Sequence, residues 1–115
     1  MPCVAEFGII DEFDKDKDYS EYEPEIYNCI AIDDDYIDDW WIGLSKMKTY
    51  FHSYNRPEFA LARYGITLIP PKSLEQFCDI VSTDMRSKSS KELNNLLILL
   101  RKALSENKYV IHYGV

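Results

Sequence analysis

The stretch SSKELNNLLILLRKALSENKYVIHYGV, residues 89–115, carries both periodicities from which the fold class can be read. Leu93, Leu96, Leu97, Leu100, Ala103 and Leu104 recur at three- and four-residue intervals, which gives a helix one broad apolar face. Ser89 and Glu92 stand ahead of it with the spacing of a capping box. After a turn at Glu106-Asn107-Lys108, the residues from Tyr109 to Tyr113 are aromatic and β-branched, as a strand prefers. A strand this apolar must be taken into a sheet or be left as an adhesive edge. A helix handing over directly to such a strand predicts a sheet with helices packed on it.

Working outward, residues 82–90 (STDMRSKSS) are a polar break. Before it, Leu74, Phe77, Cys78 and Val81 make a second helical stripe, with Ser73 and Gln76 again at capping-box spacing. Ile66–Ile69 reads as a strand ended by Pro70-Pro71. Residues 53–59 (SYNRPEF) read as a loop, since Pro57 lacks an N–H and biases Arg56 away from helical dihedrals. Ile37, Trp40, Trp41, Leu44, Met47 and Phe51 follow a helical period that begins near Asp35, although Gly43 within it costs about 1 kcal/mol relative to Ala. Asp33, Asp34 and Asp35 suit the N-cap and the positive end of that helix. Residues 26–32 (IYNCIAI) and 3–10 (CVAEFGII) read as strands. The predicted order is β-β-α-β-α-α-β. It describes an α+β domain, with a small mixed or antiparallel sheet of about four strands packed against three helices.

The chain has 115 residues, enough for a single globular domain spanning 1–115. Its net charge of −7 is unevenly spread: residues 1–39 hold fourteen Asp and Glu against two Lys, a net of −12, whereas residues 40–115 hold six acids against eleven bases, a net of +5. This distribution argues against nucleic acid, because phosphate binding needs clustered Lys and Arg that the acidic third would oppose. A basic protein partner is the natural complement. No apolar run reaches the roughly 18 residues that span a bilayer, and residues 1–13 show neither a basic leader nor a small-residue cleavage site. A cytoplasmic protein without membrane contact is expected. Cys3, Cys29 and Cys78 are too widely spaced for a disulfide framework or a Cys-x-x-Cys metal pattern, so reduced thiols are expected.

No cofactor is expected, and no metal. Gly8, Gly43, Gly65 and Gly114 are isolated, which excludes a P-loop and a dinucleotide fingerprint. Asp14, Asp16, Asp18 and Glu25 fall at positions one, three, five and twelve of a calcium loop. However, Tyr19 stands where that loop turns on glycine, and no helical pattern flanks it. His52 and His112, the only histidines, have no signature spacing to a nucleophile or to each other.

What remains is an acidic surface with aromatics set into it. In the acidic loop 11–25 these are Tyr19, Glu21, Tyr22 and Glu23; on the following helix they are Asp35, Tyr36, Asp38, Asp39 and Trp40. Asp33–Asp35 are explained by capping, whereas Asp38 and Asp39 are not. Carboxylates supply steering and ion pairs, and rigid aromatics supply anchoring area. Trp41, in register with Ile37 and Leu44, is expected in the core, leaving Trp40 as an anchor. In character alone, with no motif matched residue by residue, such a chain is similar to the immunity proteins that neutralise basic toxins, often nucleases. The leading expectation is therefore a non-catalytic binding protein of immunity or inhibitor type. The alternative is a small intracellular accessory or regulatory protein acting as a homo-oligomer. An enzyme using His52 or His112 beside a carboxylate is the third reading.

Overall fold

The computed structural model describes residues 4–114. In chain order they form β1 (Val4–Ile10), β2 (Ile30–Asp33), α1 (Asp35–Asp39), α2 (Trp41–Leu44), β3 (Lys48–Phe51), β4 (Pro57–Phe59), β5 (Ile66–Ile69), α3 (Pro71–Thr83), a 3₁₀ turn (Met85–Lys88), α4 (Lys91–Ser105) and β6 (Tyr109–Tyr113). The α+β class stands. The sheet, however, has six strands rather than about four, in the order β2-β1-β6-β5-β3-β4, with every neighbouring pair antiparallel.

The two additional strands lie where the sequence reads as the end of a helix and as a loop. The helical stripe from Ile37 is real only as far as Leu44. There the chain turns, with the Ser45 hydroxyl donating to the Ile42 carbonyl and the Lys46 N–H to that of Gly43. Ile37, Trp40, Leu44 and Met47 still reach the core, so the period is satisfied by two short helices and a turn. Lys48-Thr49-Tyr50-Phe51 then pairs as a strand, which its β-branched and aromatic content favours. Its partner β4 is an edge strand opening on Pro57, where the missing N–H costs no ladder bond. Among the helix starts, α4 is capped by Ser90, whose hydroxyl accepts the Leu93 N–H at 3.2 Å, one residue beyond the predicted Ser89. Glu92 does not close a capping box; its carboxylate accepts the Asp33 N–H instead and blunts the β2 edge. Ser73 lies inside α3 rather than capping it, and its hydroxyl donates to the Lys48 carbonyl at 2.6 Å.

Alternation splits the sheet into two apolar faces. On one, Ala5, Phe7, Ile32, Ile69 and Val110 pack against Leu74, Phe77 and Val81 of α3 and Leu93, Leu96 and Leu100 of α4. On the other, Ile10, Ile66, Leu68, Ile111 and Tyr113 form a second cluster, which holds Tyr19 from the acidic loop together with Phe13, Tyr27 and Cys29. The acidic loop, with the residues that follow it to Cys29, thus covers the second face. Phe13 stacks on Tyr109 at 3.7 Å and on Tyr19 at 5.4 Å. Cys29 is half-buried and Cys78 buried, both as free thiols; Cys3 lies outside the described residues.

The tightest approach of this cover is at Gly8 in β1. A Cβ there would lie 2.7 Å from Cys29 Sγ and from Tyr27 Cβ, and 2.8 Å from the Tyr27 carbonyl oxygen. A side chain therefore cannot be added without displacing backbone. Gly8→Ala is expected to lower stability by about 1–3 kcal/mol through overpacking, measured by chemical denaturation. Gly43→Ala, whose Cβ would meet only the Ile80 side chain at 3.2 Å, should cost less.

Candidate functional site

The carboxylates of α1 are engaged within the chain. Asp33 Oδ1 accepts the Asp35 N–H at 2.9 Å and starts the helix as a turn. Asp34, at the N-cap position, makes no side-chain cap and instead meets Arg63 Nη2 at 2.8 Å. Arg63 also pairs with Asp38, and its guanidinium lies 5.5 Å from the Trp41 ring. Asp39 meets Arg86 Nη1 at 3.0 Å, and the same guanidinium covers the Tyr36 ring at 4.6 Å. Arg86 in turn binds Asp84 at 2.6 Å, which also accepts the Trp40 indole N–H at 2.8 Å and the Arg86 backbone N–H. Partly exposed pairs of this kind contribute only about 0–1 kcal/mol each, but together they offset part of the charge of this face.

Two aromatic anchors are thereby withdrawn. Trp40 is 6% exposed, its ring packed on Phe77, and Trp41 is the half-buried one. Trp40, expected as an anchor, is thus in the core, and Trp41 packs against that core as expected but is less buried. Trp40 goes inward because its N–H finds the Asp84 carboxylate across the end of α3, a partner 44 residues away. Tyr36 is half-buried, stacked on Trp40 and within 3.4 Å of the Ser90 hydroxyl. Asp35 remains exposed. Arg63 and Arg86 are the cations of this face that sequence reading misses; nothing in their local context marks them, because most of their partners are tertiary.

The loop 11–25 is arranged in the opposite way. Phe13 and Tyr19 turn inward, Tyr22 stays exposed, and most of the acids face outward. Tyr19 is 4% exposed, so it anchors the loop rather than a partner; its hydroxyl accepts the Asp14 N–H at 2.9 Å, and its own N–H donates to the His52 carbonyl at 2.7 Å. Asp14 Oδ1 accepts the Asp16 N–H and Asp18 Oδ1 the Ser20 N–H, each closing a small turn. The Glu23 N–H donates to the Tyr113 hydroxyl at 3.3 Å. Exposed Tyr22 donates to Glu6, a bond that pushes the phenol up to about 12. The segment carries eight acids and two lysines. Among the described residues Asp11, paired with Lys108 at 2.9 Å, is the one loop carboxylate in an ion pair. Glu12, Asp14, Asp16, Asp18, Glu21 and Glu25 are exposed. Among the described residues no group of three or more His, Cys, Asp or Glu side chains is assembled as a metal would need.

The histidines are placed apart. His112 is fully buried on the helix face of β6, 5.0 Å from the Phe7 ring, and its Nδ1 lies 3.2 Å from the Thr67 hydroxyl. That hydroxyl also accepts the Ala62 N–H at 2.8 Å, which ties the buried ring to the turn before β5. Burial, reinforced by the Arg63 charge, lowers the imidazole to about 3. His52 has a left-handed backbone at φ 67° and is half-buried. Its Nδ1 is 3.2 Å from the Ser20 hydroxyl, which itself donates to Asp18. Histidine and carboxylate are thus joined only through a serine, and the serine proton points to the acid, away from the imidazole. Desolvation raises the Cys29 thiol to about 12, which leaves it a poor nucleophile.

No protein-family model, curated protein or solved structure matches this chain. Among the described residues no helix is long and apolar enough to cross a membrane.

His112 makes the fold sensitive to acid. It stays neutral when folded but charges near 6.5 when unfolded, so the unfolded chain binds one more proton below that pH. Unfolding free energy should fall by about 1.4 kcal/mol per pH unit from below pH 6 toward 4. His112→Gln should flatten this slope in denaturation curves at pH 7, 6 and 5. A wild-type slope near zero would contradict the burial of the neutral ring.

Proposed function

We propose that the chain is a non-catalytic acidic binding protein that recognises a basic protein partner, most concretely an immunity- or inhibitor-type protein that neutralises a basic toxin or nuclease. The observation that carries this reading is the loop 11–25: it is fixed over the sheet by Phe13 and Tyr19, yet its carboxylates from Glu12 to Glu25 make no ion pair among the described residues. Around α1, by contrast, Arg63 and Arg86 meet Asp34, Asp38, Asp39 and Asp84, so the loop is where unpaired carboxylates are concentrated. A fixed array of like charges steers an opposite charge toward it and loses little entropy on contact. Within this reading the charge contacts move from α1 to the loop. Asp38 and Asp39, each already facing an arginine, are secondary, and Tyr22, Glu21 and Glu23 stay in the surface.

The test is capture on the immobilised chain from its source cell at low salt, followed by kinetics with the identified partner. The expected partner is basic, and its activity is suppressed by stoichiometric amounts of this chain. Association should slow about tenfold or more at high salt. It should slow similarly in a variant combining Asp14→Asn, Asp16→Asn, Asp18→Asn and Glu21→Gln, in which the amides retain the turn acceptors. Asp38→Asn with Asp39→Asn should slow it less. A neutral or acidic partner, or an association rate indifferent to the loop variant, would sink the reading.

A further inference from the structure

We propose that the acidic loop and the flank of α4 form one docking surface for a partner segment that carries an aliphatic or aromatic side chain next to its basic residues. This rests on the reading above and specifies the partner's chemistry. Two depressions open side by side, sharing Ile9, Asp11, Ile26 and Tyr27 as their common wall. The first, of about 350 Å³, lies between that wall and α4 and is lined further by Ile30, Ile98 and Leu99, with Asn28, Asn95 and Lys102 as its polar groups. The second, of about 460 Å³, lies toward the loop and is lined further by Ile10, Glu12, Asp14, Lys17 and Tyr19. A third continues from it past Asp18, Glu21 and Glu23.

The first depression is uncovered and sets aliphatic side chains among its polar groups. Ile26 and Ile98, contributed by segments far apart in sequence, are each 59% exposed. A shared concave site lined by such side chains is the form in which exposed apolar surface marks an interaction. Charge decides the occupant. The loop side sets Asp11, Glu12, Asp14, Asp18, Glu21 and Glu23 against one cation, Lys17, whereas the first depression sets Lys102 against Asp11 alone. A ligand cation therefore gains more on the loop side than beside α4, which sets the register: apolar anchor against Ile26 and Ile98, basic side chains over the loop. An acidic segment meets repulsion along the loop, and a wholly apolar one leaves the carboxylates unused. The walls are already in place, since Tyr19 and Phe13 hold the loop to the sheet, so docking orders little of this chain.

A display library of random peptides of about a dozen residues, panned against the intact chain, reads the preference directly. Enriched peptides should combine Lys and Arg with Leu, Ile, Phe or Trp to one side. For the strongest of them, Ile98→Asp, a change at an exposed position, should weaken binding about tenfold while leaving its salt dependence intact. The four-site loop variant should both weaken binding and flatten the salt dependence. Basic peptides without an apolar residue, or binding indifferent to Ile98→Asp but lost in the loop variant, would overturn the docking surface and leave the acidic reading standing. Binding indifferent to the loop variant would overturn both. No enrichment, together with a concentration-dependent dimer that Ile98→Asp abolishes in sedimentation, would assign the surface to a second copy and overturn the proposal.

Discussion

Strand β6 is buried on both sides, and the rest of the molecule is organised around that constraint. It lies between β1 and β5, with Val110 and His112 facing one way and Tyr109, Ile111 and Tyr113 the other. An antiparallel sheet can leave one face in water, but only when that face is polar. Here it is not, so two covers are required. Helices α3 and α4 provide one. The other comes from a segment whose composition reads as soluble loop.

That second cover explains how a strongly charged segment can be ordered. Four inward side chains, Phe13, Tyr19, Tyr27 and Cys29, fill the sheet face, and the intervening acids are displaced to the outside. Burial of aromatic area supplies the holding energy, on the order of a few kcal/mol for such side chains. The backbone is tied by the Tyr19–His52 bond and by the two aspartate turns. Gly8 allows the approach at one point where no other residue would fit. The two acidic regions then differ in kind. Around α1, Asp34, Asp38 and Asp39 belong to an internal network with Arg63, Arg86 and Asp84, in which the Asp84 carboxyl is held well below its usual range by Arg86 and then by the Trp40 N–H. On the loop, the acids other than Asp11 make no ion pair among the described residues.

The helices α3 and α4 and the strands β1, β5 and β6 were legible because each buries a regular stripe: period 3.6 for Leu93 to Ala103, and a short apolar run for Ile66–Ile69. Residues 45–51 were misread for a specific reason. Met47 and Phe51 continue the spacing of Trp40 and Leu44, and periodicity cannot distinguish a helix from two turns and a strand that bury the same side chains. Strand β4 is three exposed residues headed by proline, with no pattern to detect. The loop's packing was illegible because its aromatics, Phe13, Tyr19 and Tyr27, follow neither period. The acids of the candidate site were all visible, but their division into matched and unmatched sets depends on Arg63 and Arg86, which only the tertiary fold brings to them.

The account stands on the loop being a packed layer. Native-state hydrogen exchange tests this most directly, at the Tyr19 N–H bonded to His52, the Asp14 N–H bonded to the Tyr19 hydroxyl and the Cys29 N–H bonded to Pro24. These amides should be protected, opening with a free energy that is a substantial fraction of that for β6. Exchange at the rate of an unstructured chain, with β6 still protected, would contradict the second layer and, with it, the fixed acidic surface.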